Sequence, residues 1–179
     1  MLKYFMPKLI YFFILLSVFL SSLFSVYAKE PTLAILNTII SNETQKLSIG
    51  NYGFTCEPYG VLTLEKLYNN ATMDYTCQDK IKTFYIKHPD LEYYSSSILH
   101  IQQMYHIEFK GKECILYAKG QKVLSEILLE EGLAVKQPAF DDEEYNYLFS
   151  KAQNRAKSNK KGLFEDDTLS ACIDSLYEE

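Results

Sequence analysis

Few residues in this chain have side chains suited to chemistry. There is a single arginine, Arg155, three histidines, His88, His100 and His106, and four cysteines, Cys56, Cys77, Cys114 and Cys172. The histidines show neither an H-E-x-x-H pattern nor a close metal pair, so they read as structural or surface residues rather than ligands. A cysteine nucleophile needs a free thiol beside a base. In an exported chain an even cysteine count points instead to two disulfides, which four cysteines can form in three ways. Zinc is the other use of four cysteines, but the nearest two stand 21 positions apart, whereas zinc sites favour close pairs. The pairing favoured by the sequence is Cys56 with Cys77 and Cys114 with Cys172. A basic run, Lys151, Arg155, Lys157, Lys160 and Lys161, could meet phosphate or anionic lipid. It also fits a solvated face, because cations gathered near a helix C-terminus suit the helix dipole. Asn42-Glu43-Thr44 and Asn70-Ala71-Thr72 match the minimal glycosylation sequon, which matters only in a host with the machinery. No catalytic residue, metal ligand or cofactor is assigned.

Lys3 and Lys8 precede and enter an apolar run from Leu9 to Phe24, and Val26-Tyr27-Ala28 follows as a small-residue cleavage site. This is the pattern of a secretory signal peptide over 1–28, removed after Ala28. An uncleaved anchor is the other reading, since the run is only slightly short of the ~20 residues that span a bilayer. No later segment has a comparable run, so no membrane span is expected after cleavage, and the expected location is periplasmic or secreted. Residues 29–179 fit one domain able to bury a real core. Losing two lysines makes that part more negative than the −5 of the whole chain. That is the wrong sign for wrapping a polyanion. Fifteen tyrosines and no tryptophan suggest an aromatic, wet surface.

The elements that must hold these residues alternate. "TLAILNTII" (Thr32 to Ile40) is an apolar run of strand length, and "NETQKLSIGNYG" reads as a glycine-punctuated loop. "PYGVLTLEKLYNN" reads as a helix of about three turns with Pro58 at its first position, a length that would let Cys56 and Cys77 bridge across it. "KIKTFYI" and "SILHIQQMYHIEF" read as strands joined by "KHPDLEYYSS". "ECILYAKG" is a strand ended by Gly120, and "VLSEILLEEGLAV" a helix closed by Gly132. Asp141 and Glu144 open a further helix through a D-x-x-E cap. Its expected buried stripe is Tyr145, Leu148, Phe149, Ala152 and Ala156, with Leu163 and Phe164 folding back after Gly162.

The run "GKECILYAKGQKVLSEILLEEGLAV", followed by "LFSKAQNRAKSNKKGLFEDD", is similar to the C-terminal half of the staphylococcal nuclease-like (thermonuclease) family, over about Lys110 to Asp167. Upstream, "LAILNTI" resembles the family's third barrel strand and "YGVLTLEKLYNNA" its first helix. The resemblance implies an α+β fold, an OB-like β-barrel with three helices. Here the barrel is expected to be truncated, because few residues precede Thr32 where the family has an opening hairpin. The disulfide-linked C-terminal tail would follow it within one domain, 29–179.

The resemblance also implies a phosphodiesterase site: two arginines clamping phosphate, aspartates holding calcium, and a glutamate activating water. Guanidinium forks and a hard divalent cation are what stabilise the charge such a reaction develops. This chain departs from that pattern. Arg155 lies in the last recognised helix, and Lys112 follows Gly111 where the family has Gly-Arg. Lysine keeps the charge there without the bidentate fork, leaving Lys112 as a vestigial phosphate-site position. On this alignment Thr32 falls near the first arginine, Asn37 and Thr38 at the Asp-Thr pair, and Ile40 at the glutamate. No aspartate occurs between Lys29 and Met73.

The sequence therefore points to a non-catalytic, exported pseudoenzyme. Its expected role is as a structural scaffold or protein-interaction module in a cell-envelope assembly, partnered by an envelope protein and not by nucleic acid. Tyr85, Tyr93, Tyr94 and Tyr105 around the inserted segment are the candidate interface, since tyrosine buries large area at low entropy cost. Two other classes remain open. A nucleic-acid-binding OB module without cleavage would gather Lys82, Lys87, Lys110 and Lys112 on a barrel face amid aromatics. A divergent secreted nuclease would have relocated its site. Mass spectrometry of the protein recovered from its producing cell should find a chain beginning at Lys29; an intact Met1 in a membrane fraction would replace export with anchoring.

Overall fold

The computed structural model describes residues 31–70 and 73–177, so the signal-peptide reading lies outside the described residues. Among the described residues no helix is long and apolar enough to cross a membrane.

Three strands open the fold as an antiparallel meander: β1 (Thr32–Ile39), β2 (Gln45–Ile49) and β3 (Tyr52–Pro58). A short β4 (Val61–Thr63) leads into α1 (Leu64–Tyr68), α2 (Tyr75–Lys87) and a 3-10 segment, Pro89–Ser97. The chain then returns as the hairpin β5 (Met104–Lys110) and β6 (Glu113–Lys119), followed by β7 (Lys122–Val123), α3 (Leu124–Glu130) and β8 (Ala134–Lys136). It ends in α4 (Asn146–Ser158), a 3-10 turn Gly162–Phe164, α5 (Asp167–Asp174) and a last 3-10 turn, Ser175–Tyr177. The barrel order is β3-β2-β1-β5-β6, and β3 pairs back onto β6 to close it. That closing pair is parallel, with Glu57 opposite Glu113 and Pro58 opposite Cys114. Period-two alternation puts Ala34, Leu36, Leu47, Ile107 and Leu116 inside. β4 and β8 form a separate two-stranded ribbon.

The barrel is thus whole, not truncated. Thr32–Ile39 is its first strand and forms the opening hairpin with β2, so the expectation of a missing hairpin is overturned. "NETQKLSIGNYG", read as a loop, contains β2; its Gln45 and Leu47 point inward and Lys46 outward, an alternation too short to stand out. Pro58 ends a strand rather than starting a helix, and helical structure begins only at Leu64. "KIKTFYI" is helical rather than extended. Asp74 caps α2 by accepting the Thr76 and Cys77 amides at 2.5 and 3.0 Å. Its Cys77, Ile81 and Phe84 make the i, i+4, i+7 buried stripe. "SILHIQQMYHIEF" is extended only from Met104. Five α-helices are present among the described residues instead of three, the additions being α2 and the Asp166-capped α5.

All four cysteines are disulfide-bonded, but in a different pairing from the one expected. Cys56 joins Cys114 and Cys77 joins Cys172, with Cα separations of 5.4 and 5.5 Å. The reason is topological: β3 and β6 are neighbours at the barrel seam, and because residues 75–87 are helical, Cys77 faces α5. The C-terminal half follows its sequence pattern. Gly132 and Gly162 both take left-handed φ, at +68° and +54°, and a Cβ on either would overlap the other segment's backbone. Leu163 N–H donates to the Gly132 carbonyl across that contact at 2.9 Å. Tyr145, Phe149, Ala152 and Ala156 are buried along α4, whereas Leu148 is 40% exposed. No side chain caps α4; in the turn before it Asp142, not Asp141, accepts the Glu144 and Tyr145 amides at 3.0 and 3.2 Å. Asn42 is also occupied: its amide donates to Leu91 O at 2.6 Å and its carbonyl oxygen accepts from Ser95 N–H and Oγ, so this sequon is closed in the folded chain.

Non-reducing peptide mapping should recover Cys56–Cys114 and Cys77–Cys172. Replacing either pair by alanine should cost about 2–4 kcal/mol in denaturant unfolding; recovery of Cys56–Cys77 peptides would reject the topology.

Candidate functional site

At one end of the barrel the β3–β4 turn, Tyr59–Gly60, meets the β5–β6 turn, Gly111–Lys112. Glu113, first residue of β6, directs its carboxylate between them. Oε2 accepts the Gly60 amide at 3.0 Å, while Oε1 accepts Lys66 Nζ at 3.3 Å and Gln137 Nε2 at 3.0 Å. Lys66, on α1, also pairs with Glu57 at 2.9 Å, so its ammonium sits between two carboxylates. Burial is the strongest single influence on Lys66 and opposes its charge, but Glu57 and Glu113 together outweigh it and hold its pKa above the usual lysine value.

Glu43, in the loop after β1, and Glu65, on α1, add two more carboxylates. Thr63 Oγ1 donates to Glu43 at 2.8 Å, and Ser41 Oγ reaches Glu65 at 3.5 Å. Burial pushes the Glu43 carboxyl above the usual range, and Glu65 and Glu57 push the same way, against Thr63 and Lys66.

Residues 137–145 cross the other side of this mouth. Phe140 packs over Gly60, whose φ of +72° and missing Cβ admit the ring; Phe140 also meets Tyr59 edge-on at 5.2 Å and stacks on Phe149 at 5.4 Å. Asp142 accepts from Tyr59 Oη at 2.9 Å and from Lys110 Nζ at 3.3 Å. The Lys110 ammonium lies 5.3 and 5.8 Å from the Tyr59 and Tyr145 ring centres. Burial favours the neutral Asp142 acid, yet Tyr59, the Tyr145 amide and Lys110 prevail and hold its pKa low. Burial, helped by Asp142, pushes the Tyr59 phenol up to about 12.

Lys112 lies exposed beside Glu113 at the turn tip, where the resemblance placed it, and it forms no ion pair among the described residues. Arg155 lies on α4 and binds Glu130 at 3.0 Å, a carboxylate that also holds Lys122. Thr32, Asn37, Thr38 and Ile40 lie on or just after the first strand, so their alignment with a third-strand phosphate site lapses. Lys82 and Lys87 belong to α2, and Lys110 is paired with Asp142, so the four lysines do not form one barrel face. Of the candidate interface tyrosines, Tyr105 is buried and its hydroxyl accepts the His100 amide at 2.7 Å. Tyr85 and Tyr94 pack half-buried against the core, and Tyr93 is 50% exposed. No group of three or more His, Cys, Asp or Glu among the described residues could hold a metal ion. The sequence reading passed over Glu57, Lys66, Glu113 and Gln137, although a glutamate directly after Gly111-Lys112 was the available signal.

Closure by a parallel β3–β6 pair, with β1 between β2 and β5, defines a mixed five-stranded OB-like barrel carrying several helices. The family described as Staphylococcal nuclease homologue matches residues 101–166, from the turn before β5 to just past Phe164. Over that stretch the chain is similar to that family, in keeping with the resemblance read from its C-terminal half. No curated protein matches the chain.

Because the folded state raises the Glu43 pKa, stability present below the unfolded value is lost as pH climbs through the folded one. Glu43→Gln should therefore raise the urea midpoint more at about pH 7 than at about pH 4. Equal shifts at both pH values, or a larger one in acid, would contradict this placement of the carboxylate.

Proposed function

We propose that this protein is a non-catalytic, exported nuclease-like domain serving as a structural or protein-interaction module in the cell envelope. The observation that carries the reading is Glu113 in the barrel mouth. A phosphodiester entering there would meet a carboxylate that already uses the Gly60 amide, the Gln137 amide and Lys66. It would also meet Glu57, Glu43 and Glu65 around it. Removing Lys66 from its two partners would leave uncompensated, partly buried charge, which is costly. The guanidinium fork such chemistry uses is not available at the mouth, since the chain's one arginine is engaged on α4. Export rests on the N-terminal pattern and on the two disulfides, which persist in oxidising compartments.

An interaction role is supported by apolar side chains left on the outer sheet face. Ile35 stands directly opposite Met104, with Leu33 two positions along β1, and all three are exposed. Ile101 in the preceding turn is 55% exposed. Contiguous exposed aliphatics of this kind mark docking surfaces more often than solvent-facing ones.

Purified protein supplied with single-stranded DNA or RNA and calcium should show no turnover above a mock preparation, while photoreactive crosslinkers at Met104 in intact cells should give specific protein adducts. Cleavage that disappears in Lys112→Ala would overturn the non-catalytic reading; crosslinkers that give no adduct would overturn the docking one.

A further inference from the structure

The end of β5 opposite Glu113 carries a cleft that neither the mouth nor the outer sheet face includes. β5 has seven residues, so the two ends stand about 20 Å apart. The cleft holds about 540 Å³, and its polar lining comes from Tyr94, Ser97, His100, Gln103, Tyr105 and Lys119. That volume lies within the range of small-molecule sites.

Its walls are fixed. The Tyr105 hydroxyl accepts the His100 amide at 2.7 Å and donates to Gln103 Oε1 at 3.4 Å. Ser97 Oγ donates to the Tyr94 carbonyl at 2.7 Å. Between His100 and Gln103, Gln102 holds a left-handed φ of +66°, locked by its N–H to Leu36 O at 2.7 Å. A non-glycine residue keeps that conformation only where its surroundings impose it.

The charge is one-sided. No acid lines the cleft, and Lys119 is exposed with no ion pair among the described residues. Glu130 and Glu131, whose fields reach the Tyr94 phenol, are already matched by Lys122, Arg155 and Lys161. Within an acidic domain this is a locally positive, concave surface. Phenol, imidazole, amide and hydroxyl groups alternate donors with acceptors around a single free ammonium.

We propose that this cleft binds a small polyhydroxylated monoanion of the sugar-acid class, its carboxylate on Lys119 and its hydroxyls on Gln103, His100 and Ser97. This goes beyond the docking role and does not depend on it. Disulfide-intact, isotope-labelled protein is titrated with glucuronate and separately with glucose, and amide shifts are followed by NMR. Glucuronate should saturate shifts at His100, Gln103 and Gly120. Lys119→Ala should weaken it about tenfold or more, as loss of a charge-assisted hydrogen bond does. Gln103→Ala should also weaken it, and Lys151→Ala on α4 should not. Absence of saturable shifts, glucose binding as tightly as glucuronate, or unchanged binding in Lys119→Ala would each overturn the proposal.

Discussion

Closure of the barrel at the β3–β6 seam is the constraint on which the rest of the structure depends. The parallel pairing covers only Glu57–Pro58 against Glu113–Cys114, and Pro58 has no N–H to give. Parallel pairs are weaker per residue than antiparallel ones, and a two-residue ladder supplies little by itself. Cys56–Cys114 lies at that point and makes the closure covalent, with the Tyr59 amide adding a bond to Cys114 O at 3.2 Å. Without closure, the β3 edge would be open. The disulfide and these bonds act at the same place, so the seam and the mouth are held together.

Closing the seam creates an electrostatic problem that α1 resolves. Register places Glu57 opposite Glu113, and like charges facing across neighbouring strands destabilise a sheet. Lys66 reaches both, at 2.9 and 3.3 Å. Its position is set by Leu64 and Leu67, which bury the inner face of the single α1 turn. The Thr63–Glu43 bond ties the loop after β1 to the same place. The Lys66 ammonium is thus engaged in making the barrel close, held between the two carboxylates that the seam brings together.

How much of this was legible in the sequence depended on whether local signals and tertiary packing agreed. From Glu113 to Phe164 they did in the main, with Leu148 exposed and β8 at Ala134–Lys136 as the departures. The strand, the helix stopped by Gly132, the α4 stripe and the Gly162 turn were readable because each uses a residue few others can replace. Gly132 and Gly162 show why, since their backbones touch and either Cβ would clash. Upstream they did not. "KIKTFYI" carries β-branched and aromatic residues that favour a strand, but the Asp74 cap, six positions before Lys80, starts a helix that runs through it, and Cys77 on that helix is bonded to Cys172. The Cys56–Cys77 expectation had a separate origin, the reading of residues 58–70 as one helix bracketed by the two cysteines, whereas Cys56 lies in β3 beside Cys114 of β6. Glu113 was missed for a different reason: its role arises only when a turn 53 positions earlier in sequence donates its amide.

The two disulfides hold different parts of the molecule. Cys56–Cys114 secures the barrel, and Cys77–Cys172 fixes α5 against α2, where Tyr177 further anchors the tail by donating to Lys136 O at 2.5 Å. Helices, the ribbon of β4 and β8, and residues 137–145 together cover the seam side. The opposite sheet face, bearing Leu33, Ile35 and Met104, receives no such cover among the described residues. A fold that places both disulfides and the half-buried Lys66 on the seam has made that side internally satisfied. Unsatisfied surface is left elsewhere: the apolar side chains of the bare face, and Lys119 without an ion pair among the described residues at the far end of β5.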